Sequence, residues 1–196
     1  MKQVLAISGT PGTGKTAAGM LLAKRLNVEV LELSQLVERE KLYSRRDEAR
    51  DTLVADMEAL EEYLAARLPH ARRTPLVLGH FADIVPDELL KYLVVLRCHP
   101  IVLADRLKER QWTHAKILEN IQAEILGECT SQAMHRHPVE KIFEIDVSQL
   151  TKEEVVNRIE KIFSGQSAEY TPSRISWLQV LDAQVLHRIM EKSQLP

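Results

Sequence analysis

Short apolar runs alternate with longer amphipathic segments along most of the chain. Five runs have the length, the apolar content and the flanking turn residues of strands in a parallel sheet: residues 4–7, 28–33, 75–78, 92–96 and 142–147. Apolar residues at helical spacing predict helices over residues 17–26, 34–41, 47–68, 100–110, 114–135 and 151–163. This alternation predicts a three-layer α/β/α fold, in which helices cover both faces of a five-stranded parallel sheet.

Cap residues and helix formers set the predicted helix boundaries. Ser34 is expected to cap the second helix, and Thr151 with Glu154 forms a capping-box pattern before the helix that ends near residue 163. Residues 47–68 are rich in Ala, Glu and Leu and contain no Gly or Pro, so a single long helix is predicted there.

The C-terminal part of the chain differs from this alternation. Residues 165–173 are polar and rich in turn formers, which predicts a linker after a domain that spans residues 1–164. Residues 174–196 form a C-terminal extension, and a final helix is predicted over about residues 172–192. Its apolar stripe consists of Ile175, Leu178, Leu181, Val185 and Ile189.

Composition and charge restrict the class of protein. Hydrophobic residues make up 45% of the 196 residues and charged residues 28%, as in an ordinary folded domain. The formal net charge of −2 gives no direct indication of nucleic-acid binding. No apolar run reaches the roughly 18 residues of a membrane helix, and the run at residues 4–7 is too short for a secretory signal. We therefore expect a cytoplasmic protein in which Cys98 and Cys129 are inert thiols.

The sequence GTPGTGKT at residues 9–16 matches the phosphate-loop pattern G-x-x-x-x-G-K-[ST] in full, between a predicted strand and a predicted helix. Its glycines let the backbone N–H groups converge on phosphate, and the helix N-terminus adds partial positive charge. Lys15 is expected to reach the outer phosphates of ATP, and the Thr16 hydroxyl to ligate Mg²⁺. The predicted ATP-binding residues of this segment are Gly9, Gly12, Thr13, Gly14, Lys15, Thr16 and Ala17.

Two further groups offer chemistry for phosphoryl transfer. Arg106 and Arg110 lie four residues apart on one helical face, where they form either a lid that clamps phosphate or a solvated helix face. His80 follows the third strand, at the edge where open α/β sheets bind ligands. It either orients a water or a phosphate, or is satisfied within a loop. The predicted catalytic set is Lys15, His80, Arg106 and Arg110.

An acidic ligand for Mg²⁺ is not evident at the expected strand end. The third strand ends in Leu78, Gly79 and His80, and the acidic candidates elsewhere are Asp83, Asp56 and Glu32. His135 and His137 lack further ligand spacing and are expected at a polar helix end. Thr16 is therefore the one predicted metal ligand.

The chain resembles the small archaeal and eukaryotic adenylate kinase family that also acts as an ATPase in small ribosomal subunit maturation, the family of the coilin-interacting nuclear ATPase. The resemblance covers about residues 4–163 and includes the phosphate loop. Its other segments are Leu42-Tyr43 with Asp47, Glu48 and Asp51; Gly79-His80; and RLKERQW at residues 106–112 with Lys116, Asn120, Gln122 and Glu124.

This resemblance implies a nucleoside monophosphate kinase-like P-loop fold, with a monophosphate-binding region at about residues 32–55 and a lid at about residues 109–119. It implies ATP as donor, AMP as acceptor, and Arg110 as the lid residue that touches ATP. It places His80 in a motif tied to hydrolysis and residues 146–149 near the adenine. It also implies a role in rRNA maturation of the small ribosomal subunit, with the small-subunit protein uS11 as a partner.

Two positions depart from the family pattern. Leu78 takes the place of an acid that usually precedes the histidine motif, and Glu38, beside Arg39, stands where the family often has an arginine in the monophosphate region. Three hypotheses follow from the sequence. The chain is an adenylate kinase with ATPase activity, an ATP-switched assembly factor with little kinase activity, or a kinase for another small acceptor.

Overall fold

The structure, a computed structural model, describes residues 3–48, 50, 52–166 and 175–184. Within those residues the strands are β1 (Val4–Gly9), β2 (Glu29–Glu32), β3 (Tyr43–Asp47), β4 (Thr52–Ala55), β5 (Pro75–Leu78), β6 (Leu90–Arg97) and β7 (Ile142–Asp146). Five of these strands form one parallel sheet in the order β2-β5-β1-β6-β7, which confirms the predicted sheet.

The helices of the described residues are α1 (Lys15–Leu26), α2 (Leu33–Arg39), α3 (Met57–Arg67), α4 (Pro100–Lys108), α5 (His114–Leu126), α6 (Glu128–Arg136), α7 (Lys152–Phe163) and α8 (Trp177–Val180). None of them is both long and apolar enough to cross a membrane.

Alternate residues of each central strand face opposite helical layers. On β1, Leu5 and Ile7 belong to the core that also contains α1, α4, α5 and α7. Val4 and Ala6 belong to the core on the other face, with α2, α3 and α6. The three-layer α/β/α fold is thereby confirmed, and it places the loops after β1, β2 and β5 at one edge of the sheet.

The long helix predicted over residues 47–68 is wrong in its first part. Strands β3 and β4 form an antiparallel hairpin there, and α3 begins only after it. Asp47 accepts a hydrogen bond from the N–H of Arg50 at 3.1 Å within the turn, and Asp56 caps α3 by accepting from the N–H of Ala59 at 3.1 Å. Short acceptor side chains compete with helical hydrogen bonding, which explains why the helix starts after Asp56.

Two other predicted helices differ in detail. The segment predicted as one helix over residues 114–135 is two helices, which meet at Gly127 with a left-handed φ of 66°. The second helix, α2, is capped by Glu32 rather than by Ser34. Glu32 Oε2 accepts from the N–H of Gln35 at 3.0 Å, and the Ser34 hydroxyl donates to the same carboxylate.

The C-terminal segment also departs from its prediction. Its described part contains the helical turn α8, after which Leu181 has an extended backbone before residues 183 and 184 are helical again, so the helix predicted over residues 172–192 is not continuous. Residues 167–173 of the predicted linker and 185–192 of the predicted helix lie outside the described residues. Trp177 and Leu181 are buried in the same core as α5 and α7, so the described part packs directly on the α/β domain.

Candidate active site

The phosphate loop joins β1 to α1 through glycines in backbone conformations that other residues rarely adopt. The φ angles of Gly9, Gly12 and Gly14 are 137°, 97° and 92°. A Cβ at Gly9 would lie 2.3 Å from the carbonyl oxygen of Leu96, and one at Gly12 would lie 2.7 Å from the Leu103 side chain. The loop therefore needs glycine here for its conformation and for space.

The Lys15 ammonium lies across this loop. Its Nζ donates to the carbonyl oxygens of Gly9 at 2.5 Å and Thr10 at 3.0 Å, and Thr13 Oγ1 donates to the Thr10 carbonyl at 2.9 Å. Burial lowers the pKa of Lys15 to about 8, and the charge of Arg110 acts in the same direction. A phosphate in the loop would stabilise the protonated amine and raise this pKa again.

A cavity of about 490 Å³, the phosphate cavity, opens in front of the loop. Six of the predicted ATP-binding residues line it, namely Gly12, Gly14, Lys15, Thr16, Ala17 and Arg110. Its other walls are Pro11, Met20, Glu32, Ser34, Gly79, His80, Phe81 and Trp112. The structure thus brings the loop, the lid and the end of β5 around one space, while Gly9 and Thr13 lie within the loop behind it.

The two predicted lid arginines have different positions. Arg110 is exposed and lines the phosphate cavity. Arg110 follows the end of α4, whereas Arg106 lies within that helix, so the prediction that both lie on one helical face is wrong. Arg106 Nη2 donates to the carbonyl oxygen of Val147 at 3.1 Å. This bond holds α4 against the loop after β7, where the adenine was expected. The structure therefore brings Arg110 to the phosphate cavity and leaves Arg106 outside its walls.

A second cavity of about 650 Å³, the hairpin cavity, lies between α2 and the hairpin of β3 and β4. It shares Ser34, His80 and Phe81 with the phosphate cavity. Its other walls are Val37, Glu38, Tyr43, Arg46, Thr52, Leu53, Val54, Ala55 and Met57. Because the two cavities have walls in common, ligands in both would approach each other beside His80.

His80 has a neutral ring at this junction. Partial enclosure by the cleft and, next, the charge of Lys15 lower the pKa of His80 to about 4, although the residue remains exposed to solvent in the open cleft. Its carbonyl oxygen accepts from Ser8 Oγ at 3.0 Å, which ties the end of β5 to β1. A neutral imidazole can orient a water or a phosphate by hydrogen bonding, but adds no positive charge near neutral pH.

The lid and the hairpin touch each other across the cleft. Lys116 Nζ, in the first turn of α5, donates to the carbonyl oxygen of Arg50 at 3.3 Å, and Arg50 Nε pairs with Glu119 at 3.3 Å. The same ammonium lies 4.5 Å from the centroid of the Trp112 ring. These contacts join the lid to the hairpin, although the charged pair is exposed and contributes little stability by itself.

Among the residues that line the phosphate cavity, Thr16 carries a hydroxyl and Glu32 a carboxylate that suit Mg²⁺, and the Ser34 hydroxyl there is bonded to Glu32. The other acidic candidates have different surroundings. Asp56 caps α3, and Asp83 is buried with one carboxylate oxygen 3.5 Å from Arg136 Nε. The residues present therefore fit a hydrated Mg²⁺ held by Thr16 with Glu32 nearby.

The two departures from the family pattern have clear structural positions. Leu78 is 1% exposed and packs against Gly19 of α1, so it contributes apolar packing at the position where the resemblance leads us to expect an acid. Glu38 lines the hairpin cavity, as does Arg46 from β3. Sequence reasoning missed Arg46, because the strand that carries it was not predicted and its pairing with β4 is irregular between Tyr43 and Arg45.

The remaining reactive side chains belong to the protein framework. Burial raises the pKa of the Cys98 thiol to about 11 and also raises that of Cys129, so both thiols are protonated near neutral pH. His137 bonds the Asp87 carboxylate at 3.0 Å and the Asp83 carbonyl oxygen at 2.7 Å. Throughout the described ranges, no three ligating side chains form a group that could hold a metal ion.

Comparison with known proteins agrees with this architecture. The sequence profile of the AAA domain family matches residues 5–127. Archaeal proteins named "Putative adenylate kinase" match along most of their length. The one from Methanocaldococcus jannaschii is 36% identical over 79% of this chain and 82% of its own. The one from Natronomonas pharaonis is 37% identical over 84% of this chain and 92% of its own.

Among solved structures, shikimate kinases share the fold. The enzyme from Bacteroides thetaiotaomicron superimposes with a TM-score of 0.58 and 21% identity, over 84% of this chain and 99% of that chain. The enzyme from Acinetobacter baumannii gives a TM-score of 0.58 with 16% identity, over 86% of this chain and 96% of that chain. At such identities the similarity shows the P-loop kinase fold alone.

Proposed function

The chain belongs to the AAA domain family and to the same P-loop kinase family as these archaeal relatives, and we propose that it is an adenylate kinase with ATPase activity. In the proposed reaction, ATP binds in the phosphate cavity and AMP in the hairpin cavity. A phosphate oxygen of AMP forms a bond to the γ-phosphorus of ATP while the bond from that phosphorus to the β–γ bridging oxygen breaks. The products are two molecules of ADP.

One observation carries this proposal: the phosphate cavity and the hairpin cavity share the walls Ser34, His80 and Phe81. A kinase must hold a donor and an acceptor with their reacting atoms a few ångströms apart. An ATPase needs only the first of these spaces and a water. The volume and the lining of the hairpin cavity therefore favour an acceptor larger than water.

The chain's own residues supply positioning and positive charge at the junction. Lys15 reaches the phosphate cavity from the loop and Arg110 from the lid, so each can stabilise charge on the transferring group. The neutral ring of His80 can hydrogen-bond an acceptor oxygen or a water between the cavities. Contacts between Lys116 and Arg50 bring the lid to the hairpin and help to exclude water.

Mg²⁺, when bound with the nucleotide, would neutralise phosphate charge and orient the outer phosphates. Thr16 and Glu32 are the residues that would hold it, directly or through water. The apolar packing of Leu78 leaves Glu32 as the acidic wall of the phosphate cavity.

The hairpin cavity offers groups of both polarities to the acceptor. Arg46 suits the phosphate of a nucleoside monophosphate, and Glu38 suits donor groups of its ribose or base. Val37, Leu53 and Met57 provide apolar walls for the flat face of a base. In this proposal Arg46 binds the acceptor phosphate in place of the arginine that the family often has at the position of Glu38.

The decisive experiment is a coupled assay of the purified protein with ATP and Mg²⁺, with and without AMP, in which both ADP and free phosphate are followed. We expect ADP formation that depends on AMP, with slower release of free phosphate. Turnover that does not respond to AMP would contradict the proposed acceptor. Parallel reactions with CMP, UMP, GMP and shikimate would then reveal a kinase for another small acceptor.

A second candidate is an ATP-switched assembly factor for the small ribosomal subunit that binds uS11 and has little kinase activity. The observation that favours it is the apolar Leu78 at the place of the family's acid, since slow turnover suits a switch. Binding of purified uS11 should then differ between the ATP-loaded and ADP-loaded protein, and Lys15→Ala should abolish the difference. Equal affinity in both nucleotide states would exclude the switch.

A further inference from the structure

A buried ionic cluster lies beside the phosphate loop and outside both cavities of the proposed reaction. Arg97, at the end of β6, pairs with Glu124 of α5 at 2.8 Å and with Glu144 of β7 at 2.5 Å. The three side chains are 2%, 1% and 3% exposed. Removing charges from water is costly, so a cluster of this kind must be closely hydrogen-bonded to persist.

The Glu124 carboxylate connects this cluster to the phosphate loop. Its Oε1 accepts from Arg97 Nε at 2.8 Å, from the N–H of Cys98 at 3.0 Å and from Trp177 Nε1 at 2.9 Å. Its Oε2 accepts from the hydroxyl of Thr10, inside the loop, at 2.5 Å. Glu124 therefore bonds the end of β6, the C-terminal segment and the phosphate loop at once.

Thr10 connects Glu124 to Lys15, the residue that is expected to bind phosphate. Thr10 is 2% exposed, and its carbonyl oxygen accepts from Lys15 Nζ and from the Thr13 hydroxyl. A shift of Thr10 would move this carbonyl and the ammonium bound to it. Charge-assisted hydrogen bonds to a buried carboxylate are among the stronger ones, so the bond to Glu124 restrains the loop effectively.

The C-terminal segment forms hydrogen bonds with all three charged residues of the cluster. The N–H of Ile175 donates to Glu144 Oε2 at 2.7 Å, and Arg97 Nη1 donates to the carbonyl oxygen of Ile175 at 3.1 Å. Trp177 is 3% exposed, and its indole N–H points at Glu124. The predicted C-terminal extension therefore bonds, through Trp177, the same Glu124 carboxylate that bonds Thr10 of the phosphate loop.

We propose that Glu124 is a positioning residue of the nucleotide site, and that Trp177 tunes nucleotide affinity through it. The inference rests on the proposed function only in taking the phosphate cavity as the ATP site. Trp177 and Thr10 bond different oxygens of one carboxylate, so loss of either bond removes one of the restraints on the position of that carboxylate. Nucleotide binding and the docking of the C-terminal segment are therefore coupled.

The test measures the Kd of a fluorescent ATP analogue and the Tm of the full chain for wild type and single variants. Thr10→Val removes the hydroxyl at nearly constant volume, and Thr10→Ser keeps it. Trp177→Phe removes the indole N–H and keeps a ring. We expect Thr10→Val to weaken binding about 10-fold and Trp177→Phe about 3-fold, with Thr10→Ser close to wild type.

Thr130→Val is the matched control. The Thr130 hydroxyl donates to Glu144 at 2.5 Å and accepts from Arg97 Nη1 at 3.4 Å, within the same cluster, but it does not bond Glu124 directly. We expect this variant to lower Tm and to keep the wild-type Kd, which separates positioning of the loop from general loss of stability. If Thr130→Val weakens nucleotide binding as much as Trp177→Phe does, a specific role of Glu124 is excluded.

The double variant Thr10→Val with Trp177→Phe tests the coupling itself. If Trp177 acts through Glu124 and Thr10, its replacement has little further effect on Kd once the Thr10 hydroxyl is gone. If the Kd of the double variant rises by the product of the two single-variant factors, the two residues act independently and the coupling is contradicted. A wild-type protein that does not bind the analogue would contradict the proposed ATP site instead, so the two failures are distinguishable.

Discussion

The two cavities of the cleft are built in different ways. The phosphate cavity is formed mainly by a loop whose glycines have φ angles of 92° to 137°, by the N-terminus of α1 and by one ammonium. The hairpin cavity is formed by side chains from α2, from the two strands of the hairpin and from the residues after β5. One cavity depends on backbone conformation, and the other depends on which side chains the fold brings together.

This difference explains which part of the reaction is general and which is specific to this chain. Backbone N–H groups and a lysine recognise phosphate in any nucleoside triphosphate. Glu38 and Arg46, in contrast, occupy the cavity where the acceptor is proposed to bind, and Glu38 stands at a departure from the family pattern. Changes in the phosphate cavity should therefore affect every reaction of the protein, whereas changes in the hairpin cavity should affect the choice of acceptor.

The largest expected effect is that of Lys15→Ala, which removes the ammonium that bonds the Gly9 and Thr10 carbonyl oxygens and faces the phosphate cavity. Turnover should fall about 10³-fold, and ATP affinity should also fall, because the charge on the outer phosphates is left uncompensated. Steady-state rates and ATP titrations measure both. Lys24→Ala, on the exposed last turn of the same helix, is the control, and unchanged ATP binding in Lys15→Ala would refute the assignment of the loop.

Arg110→Ala should produce the next largest effect. Arg110 lines the phosphate cavity, so its loss should lower kcat about 100-fold with a milder effect on ATP affinity. Arg106→Ala is the matched variant, because Arg106 bonds the Val147 carbonyl oxygen and lies outside the cavity walls. We expect its effect on kcat to be smaller. Equal losses in the two variants would indicate that the lid closes further than this structure shows and uses both arginines.

Arg46→Ala tests whether the hairpin cavity holds the acceptor. The KM for AMP should rise about 10-fold while the KM for ATP changes little, because a charge-assisted bond to the acceptor phosphate is lost. Arg45→Ala is the control, since Arg45 precedes Arg46 on the same strand but is not a wall of the cavity. A rise in the KM for ATP alone would place the acceptor elsewhere.

The pH dependence of ATP binding sharpens the description of the phosphate cavity. Burial lowers the pKa of Lys15 to about 8 in the free protein, so the ammonium loses its proton as pH rises through that value. ATP binding favours the protonated amine, and affinity should therefore decrease above pH 8, approaching about tenfold per pH unit. Titrations between pH 7.5 and 9.5 measure this, with Lys15→Arg expected to abolish the decrease. An affinity independent of pH over this range would contradict the lowered pKa.

Glu32→Gln should have the smallest of these effects. The change keeps the volume and the cap of α2, but removes the negative charge from the wall of the phosphate cavity. The affinity of the protein–ATP complex for Mn²⁺, measured by electron paramagnetic resonance as a probe for Mg²⁺, should fall several-fold. Glu38→Gln, in the hairpin cavity, is the control. Equal metal affinity in wild type and Glu32→Gln would remove Glu32 from the metal site.

Features that depend on local backbone conformation could be predicted from the sequence, whereas features that depend on contacts between distant side chains could not. The phosphate loop and the five parallel strands were predicted because glycine requirements and buried apolar runs are local properties of the chain. The hairpin of β3 and β4 was not, because its residues carry no Gly or Pro and lie before a strong helical segment. Asp47, which begins the turn between β3 and β4, and Asp56, which caps α3, are ordinary acidic residues until their partners are known.

By itself, the sequence determined the α/β fold, the phosphate loop with Lys15 and Thr16, and the placement of His80 at the ligand-binding edge of the sheet. Only the tertiary structure decided that Arg110 lines the phosphate cavity while Arg106 bonds Val147, and that Arg46 faces the hairpin cavity. It also decided that Trp177 meets Glu124 across 53 positions of the chain. The physical reason is that backbone requirements act on neighbouring residues, whereas hydrogen bonds between distant side chains exist only once packing has brought their elements together.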